Sequence, residues 1–327
     1  MKFEFRNISK KKNAILVVAF LSLAAGVLVS FFGELFIAPA AAFLAALFLF
    51  EAGDKRIFSF AVPIATVLLN IFIGGFYSVR GIEPLVIALI ICLMYTKGRA
   101  KTECVVAVCV TVAVFILASL YFDVVNITGS FDIETVKGFY VGIYEELKAG
   151  FVEQITAISV TVDGSVNSVF TEEDATVLFD SVAKQLISML IIISFIITGL
   201  TMKIFTAAIY RAEKEPHVVV GWRFSVTNIF AYFYGALFFL NMFFGVGVGT
   251  FEVIIANLYS VFMIVFAYFG FCVARDFISR GRSRGFATAV LIVGIVLLSS
   301  LALQILSVVG LFSTINQNKL NSINGDK

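Results

Sequence analysis

Ile57–Tyr77 reads IFSFAVPIATVLLNIFIGGFY, twenty-one residues without a charged side chain. A helix needs about 20 apolar residues to cross the hydrocarbon core of a bilayer. A backbone in lipid must also satisfy its own hydrogen bonds, which a helix does within one segment. The stretch therefore reads as a membrane-spanning helix. Working outward, the same pattern returns. Phe286–Phe312 reads FATAVLIVGIVLLSSLALQILSVVGLF, again uncharged over 27 residues. Apolar blocks lie near 14–32, 35–50, 57–77, 79–96, 104–122, 185–209, 226–246, 251–273 and 286–312. Of the 327 residues 60% are hydrophobic, and the mean hydropathy is +1.02. The expected fold is all-α, a polytopic transmembrane bundle of about nine spans with an external amphipathic-helical loop. Residues 1–122 form its N-terminal membrane half, 123–184 the acidic loop, 185–313 the C-terminal membrane half and 314–327 a short polar tail. The first block reads as a start-anchor helix rather than a cleaved leader.

Charge gives the direction of threading. Lys and Arg collect in cytoplasmic loops. With the N-terminus inside, nine alternating spans place 18 of the 24 basic residues on the inner side, among them Lys10, Lys55, Arg99, Arg211 and Arg282. Only Arg80, Lys137, Lys148, Lys184, Lys319 and Lys327 fall outside. Removing one span would invert every later loop and destroy this agreement.

The long polar segment from Asp123 to Lys184 holds 11 acidic residues against three lysines, a net charge of −8. From Ile133 onward, Val136, Tyr140, Ile143, Leu147, Phe151 and Ile155 recur every three or four residues, which predicts an amphipathic helix near 133–158. A second helix is expected near 171–183, with Thr171 as its cap and Glu172, Glu173 and Asp174 at the positive end of its dipole. Asp163-Gly164 marks a turn between them. The segment reads either as solvated helices lying on the membrane surface or as a lid over an outward pocket.

Polar residues inside hydrocarbon are the candidates for function. Glu34 and the Arg80/Glu83 pair map to outer helix ends, where they are interfacial residues in water or the rim of an outward-facing site. Asn70 is deeper, ahead of Gly74-Gly75. Asn241, Glu252 and Asn257 surround the glycine-rich turn Gly245–Gly249. From these the candidate ligand set is Asn70, Arg80, Glu83 and Asn257. Ala38, Ala42 and Ala46 repeat every fourth residue, a small-residue face that packs within the protein or docks another membrane subunit.

Several classes are excluded. The chain has no Ser-His pair, HExxH, GxSxG or Walker motif, so it is not read as an enzyme or an ATP-driven pump. A net charge of +2 gives no signal for nucleic acid. Cys92, Cys104, Cys109 and Cys272 sit in apolar blocks without CxxC spacing and read as packed thiols, so no metal site or cofactor is expected.

The second half resembles the YybS-like family of uncharacterised bacterial membrane proteins. The likeness rests on Trp222-Arg223, Asn257-Leu258, Tyr268-Phe269-Gly270, the basic run Arg275–Arg284 and Val309-Gly310-Leu311. The chain departs from the pattern where no proline follows Trp222 and where Phe269 replaces a common Gln. The resemblance implies a bacterial cell-membrane location and a fold related to the substrate-binding subunits of energy-coupling-factor transporters. Such subunits bind a vitamin or metal ion from outside and dock on a partner through small residues on the first helix, here Ala24-Ala25-Gly26 or the alanines of the second block. The expected function is accordingly a transporter-subunit-like membrane protein that binds a small-molecule solute from the outer side. The alternative is a structural or assembly protein whose acidic loop docks a partner.

Overall fold

The computed structural model describes residues 12–51, 57–74, 80–99, 101–162, 165–168, 170–213, 228–244, 249–278 and 284–325. Among the described residues the chain is helical apart from one short hairpin. In chain order the elements are α1 Lys12–Phe32, α2 Glu34–Phe50, α3 Ile57–Gly74, α4 Glu83–Thr96, α5 Lys101–Thr128, α6 Ile133–Thr156, β1 Ser159–Val162, β2 Ser165–Ser168, α7 Glu172–Ala183, α8 Leu186–Glu213, α9 Asn228–Phe244, α10 Thr250–Ile278 and α11 Arg284–Gly325. Among the described residues, four stretches are long and apolar enough to cross a membrane: Ile15–Phe32, Glu103–Thr128, Leu186–Ile209 and Thr250–Ile278. Five shorter apolar helices, Phe36–Phe50, Ile57–Ile73, Glu83–Thr96, Asn228–Phe244 and Leu301–Asn316, overlap the remaining blocks of the sequence.

Several boundaries differ from those expected. The fourth block begins at Glu83, not 79, because Pro84 has no N–H and fits only the first turn of a helix. Its 14 residues extend about 21 Å at 1.5 Å per residue. The fifth runs on to Thr128, so the expected boundary at 122/123 falls inside α5 and Asp123 is helical. The expected polar tail, 314–327, continues α11 as far as Gly325, since residues 314–324 include no proline or glycine to break the helix. Between α6 and α7 the chain forms a two-stranded antiparallel hairpin in which Val162 pairs with Ser165. The Asp163-Gly164 turn between these strands, like Gly75, Trp222-Arg223 and Gly245–Val248, lies outside the described residues. The tight reversal after the first block is made by Gly33, whose φ of +59° suits glycine and whose N–H reaches back to the Val29 carbonyl at 2.9 Å.

The chain divides into two compact units, one of Met1–Gly150 with Ile193–Phe224, the other of Phe151–Ile192 with Ser225–Lys327. In the first, α2 is the central helix. Ile37, Ala38, Ala41, Ala42, Ala45, Ala46 and Leu47 are all buried, which is the expected state of a helix that is apolar all round. Its small side chains let α1 and α4 approach closely. The inner core continues into Ile197, Met202, Phe205 and Ile209 of α8, where Phe205 meets Tyr95 edge to face at 5.9 Å. Glu51, buried at the end of α2, caps α3: its carboxylate accepts from the N–H groups of Phe58 at 3.2 Å and Ser59 at 2.6 Å. Beyond α5 the chain turns at Gly129, φ +70°, and the start of α6 folds back along it. Val136 packs on Val124 and Val125, and Tyr140 Oη donates to the Leu120 carbonyl at 2.7 Å.

In the second unit α10 and α11 form the main pair, with α9 against both. Tyr234 is fully buried, stacked on Phe266 at 4.7 Å, and its hydroxyl donates to Ser307 Oγ at 2.7 Å. The α7 cap forms as expected. Asp174 N donates to Thr171 Oγ1 and Thr171 N to Asp174 Oδ2, each at 3.1 Å, a reciprocal box with Asp in place of the usual Glu.

Candidate functional site

The candidate site begins at the last turn of α3. Asn70 is 1% exposed. Its Nδ2 donates to the Thr66 carbonyl one turn back at 2.9 Å and to the Gly26 carbonyl of α1 at 3.3 Å. The second bond exists because α1 and α3 nearly touch: a Cβ on Gly26 would lie 2.6 Å from the Thr66 hydroxyl and methyl. With both amide hydrogens engaged, Oδ1 faces the other way. It is buried and has no hydrogen-bond partner among the described residues.

The turn before α4 closes over Asn70. A Cβ on Gly81 would sit 2.9 Å from Asn70 Cβ and 3.0 Å from Val67 Cα, so only glycine lets the turn seat there. The guanidinium of Arg80, immediately before it, reaches 43 residues along the chain to Asp123 Oδ2 at 2.7 Å. Both partners are partly exposed, and this mutes the pair's energy. Glu83, the first residue of α4, is fully buried. A carboxylate at a helix N-terminus is favoured by the aligned peptide dipoles. Asp123 also lies near Tyr140: burial, and then the Asp123 charge, push that hydroxyl above the ordinary tyrosine range.

Thus Gly81 brings the turn that carries Arg80 against Asn70, and Glu83 follows as the first residue of α4. Comparison finds no family model, no curated protein and no solved structure that matches this chain. The site is therefore read from its own geometry.

Asn257 lies in the second unit, and its position is structural. Oδ1 accepts from Ser188 N at 2.9 Å, while Nδ2 donates to the Lys184 carbonyl at 2.7 Å and the Val253 carbonyl at 2.8 Å. One side chain on α10 thereby caps the start of α8 and holds the end of α7. Ala38, Ala42 and Ala46 are buried inside the first unit. The Glu34 side chain lies outside the described residues.

Sequence reasoning does not single out Thr66, Gly81, Ser119 or Asp123. Thr66 and Ser119 are polar residues inside apolar runs, one turn before Asn70 and Asp123, and this spacing is the signal that could find them. Gly26 enters the sequence reading only as a docking residue.

Proposed function

We propose that this chain is a multi-pass membrane protein of nine spans, with its N-terminus cytoplasmic, that binds a small solute from the outer side at Asn70, Arg80 and Glu83. The short apolar helices are spans in this reading. A short span is accommodated by local thinning of the bilayer and by flanking residues that reach the interface, as Arg80 and Lys97 do at the ends of α4. The acidic segment with α6 and α7 is then external, as the distribution of basic residues requires.

One observation carries the solute reading. Asn70 Oδ1 is a buried acceptor without a partner among the described residues, held in one orientation by two bonds from its own Nδ2 and roofed by the turn that carries Arg80 and leads to Glu83. Buried polar atoms are almost always satisfied, so one that is fixed and unsatisfied points to a ligand. The resemblance to the YybS-like family, and through it to solute-binding transporter subunits, points the same way and adds a second membrane subunit as a partner. The burial of the α2 alanines supports packing within the chain over docking for that face. A second reading, an assembly protein, draws support from Leu147, Val177 and Val182, which are exposed on the acidic helices α6 and α7.

The test is a thermal-shift screen of the purified full-length protein in nanodiscs against vitamins, metal ions, sugars and amino acids. Any hit is then titrated on Arg80→Ala and Asn70→Ala. A site at these residues loses about tenfold in affinity for each hydrogen bond removed. A hit indifferent to both substitutions, or no hit, favours the assembly reading.

A further inference from the structure

Four buried polar atoms at this end of the first unit have no hydrogen-bond partner among the described residues: Ser30 Oγ, Asn70 Oδ1, Arg80 Nε and Ser119 Oγ. They come from α1, α3, the turn before α4 and α5. Contacts connect them in a chain. Gly26 accepts from Asn70, and Ser30 lies one turn beyond Gly26 on α1. Gly81 seats on Asn70, and Arg80 precedes it. Arg80 holds Asp123, and Ser119 lies one turn before Asp123 on the same face of α5. Asn70 and Ser119 are 1% and 5% exposed, so neither residue has recourse to bulk solvent.

The donor and acceptor complement selects the occupant. Asn70 Oδ1 only accepts, because the amide orientation is fixed by its two donated bonds. Arg80 Nε only donates, and the hydroxyls do either. A metal cation would satisfy Asn70 but face a guanidinium N–H. An anion would satisfy Arg80 but face the Asn70 oxygen, with the acidic residues Asp123 and Glu83 on the same turn-and-helix framework. A neutral molecule that carries both O–H or N–H donors and oxygen acceptors meets every requirement at once.

We propose that this site takes a small, uncharged, hydrogen-bonding solute of the polyol or carboxamide class. Asn70 accepts from it, Arg80 Nε donates to it, and Ser30 and Ser119 orient it. The proposal rests on the solute-binding reading above and names its ligand class.

The experiment is isothermal titration of the full-length protein in nanodiscs with glycerol, erythritol, xylitol and acetamide, and separately with sodium, potassium, chloride, phosphate and acetate. The informative variant is Ser119→Ala. Its hydroxyl makes no bond within the described protein, so the unliganded unfolding temperature should stay near wild type while affinity for the neutral solute falls about tenfold. That pattern supports the proposal. Arg80-dependent binding of an ion, with none of the neutral probes bound, overturns the ligand class and leaves the solute reading standing. Binding of no probe, or binding unchanged by both Ser119→Ala and Arg80→Ala, overturns both.

Discussion

Gly270 and Gly310 lie against each other where α10 crosses α11. A Cβ on Gly270 would overlap the Leu306 carbonyl, and one on Gly310 would overlap the Phe266 carbonyl and come within 2.8 Å of Gly270 N. Helix faces in lipid gain nothing by hiding from it, since the tails are as apolar as leucine, so association depends on close packing. Here two backbones touch. Tyr234 reinforces the crossing from the side, stacked on Phe266 and bonded to Ser307, three residues before Gly310.

Gly310→Ala should therefore push the helices apart and destabilise the second unit by about 1–3 kcal/mol, the usual range for overpacking. Gly270→Ala should do the same. Gly294 of α11 is the control, because a Cβ there would meet nothing within 4 Å. Gly294→Ala should be neutral or stabilising by up to about 1 kcal/mol through helix propensity. Thermal unfolding of the three variants in detergent checks the ranking, and a Gly310→Ala protein as stable as wild type would refute the crossing.

The Arg80–Asp123 pair should couple weakly. Its side chains are 35% and 44% exposed, so a double-mutant cycle with Arg80→Ala and Asp123→Ala should give a coupling of about 1 kcal/mol or less. The coupling should shrink further in high salt. A coupling well above about 1 kcal/mol would mean that the pair is shielded from water.

The helical segments are legible because hydropathy is a one-dimensional signal, and the apolar blocks overlap the apolar helices. Ends are less so. Asp123 looks like the start of a loop, yet α5 carries it inside a helix whose last turns pack on Val136. The hairpin is written in Ser159–Ser168, SVTVDGSVNS, with β-branched residues about an Asp-Gly, but next to two strong helical patterns it reads as a bare connector. The site is legible in part. Asn70, Arg80 and Glu83 stand out as polar residues in an apolar context. Their partners do not, because a residue three positions away is an obvious candidate and one 43 positions away is not. Asn257 reads as a ligand residue for the same reason: its capping role is set by Lys184 and Ser188, which only the fold brings to it.

The periodicity of α6 puts Leu147 on its apolar face, where it would act as an anchor if buried. Among the described residues Val136 is buried against α5, while Leu147 is 61% exposed. Leu147→Asp should then leave stability and protease sensitivity close to wild type, within about 0.5 kcal/mol, as for most surface changes. Val136→Asp should expose the α5–α6 junction to cleavage, since an unpaired carboxylate is costly to bury. Limited proteolysis of both variants decides between a partly and a fully seated helix.

Topology is tested at Gly164 and Ser283, which the basic-residue distribution places on opposite sides. In a background lacking Cys92, Cys104, Cys109 and Cys272, a cysteine at position 164 should react with an impermeant maleimide from outside, and one at position 283 only after permeabilisation. Labelling of both from the same side would overturn the nine-span threading.

The α7 cap should respond to acid. Hydrogen bonds from the Thr171 hydroxyl and then the Thr171 backbone hold the Asp174 carboxyl below its ordinary range, against a small opposing effect of burial. A carboxyl whose folded pKa is depressed contributes stability above its unfolded pKa, and that contribution is lost as the pH falls through the folded value. Protection of the amides at the start of α7 should thus be constant near neutral pH and decline in the acid range below about pH 4, where free aspartate takes up its proton. Asp174→Asn keeps a side-chain oxygen for the Thr171 N–H but removes the titrating charge, so it should flatten this dependence. Thr171→Ala removes the hydroxyl that accepts from Asp174 N and donates to its carboxylate, so it should weaken the helix start by about 1 kcal/mol near neutral pH and reduce the acid dependence as well. Hydrogen exchange across the acid range separates the two variants, since only Thr171→Ala loses the hydroxyl cap at neutral pH. A wild-type profile that does not change with pH would mean that the box contributes nothing to the order of α7.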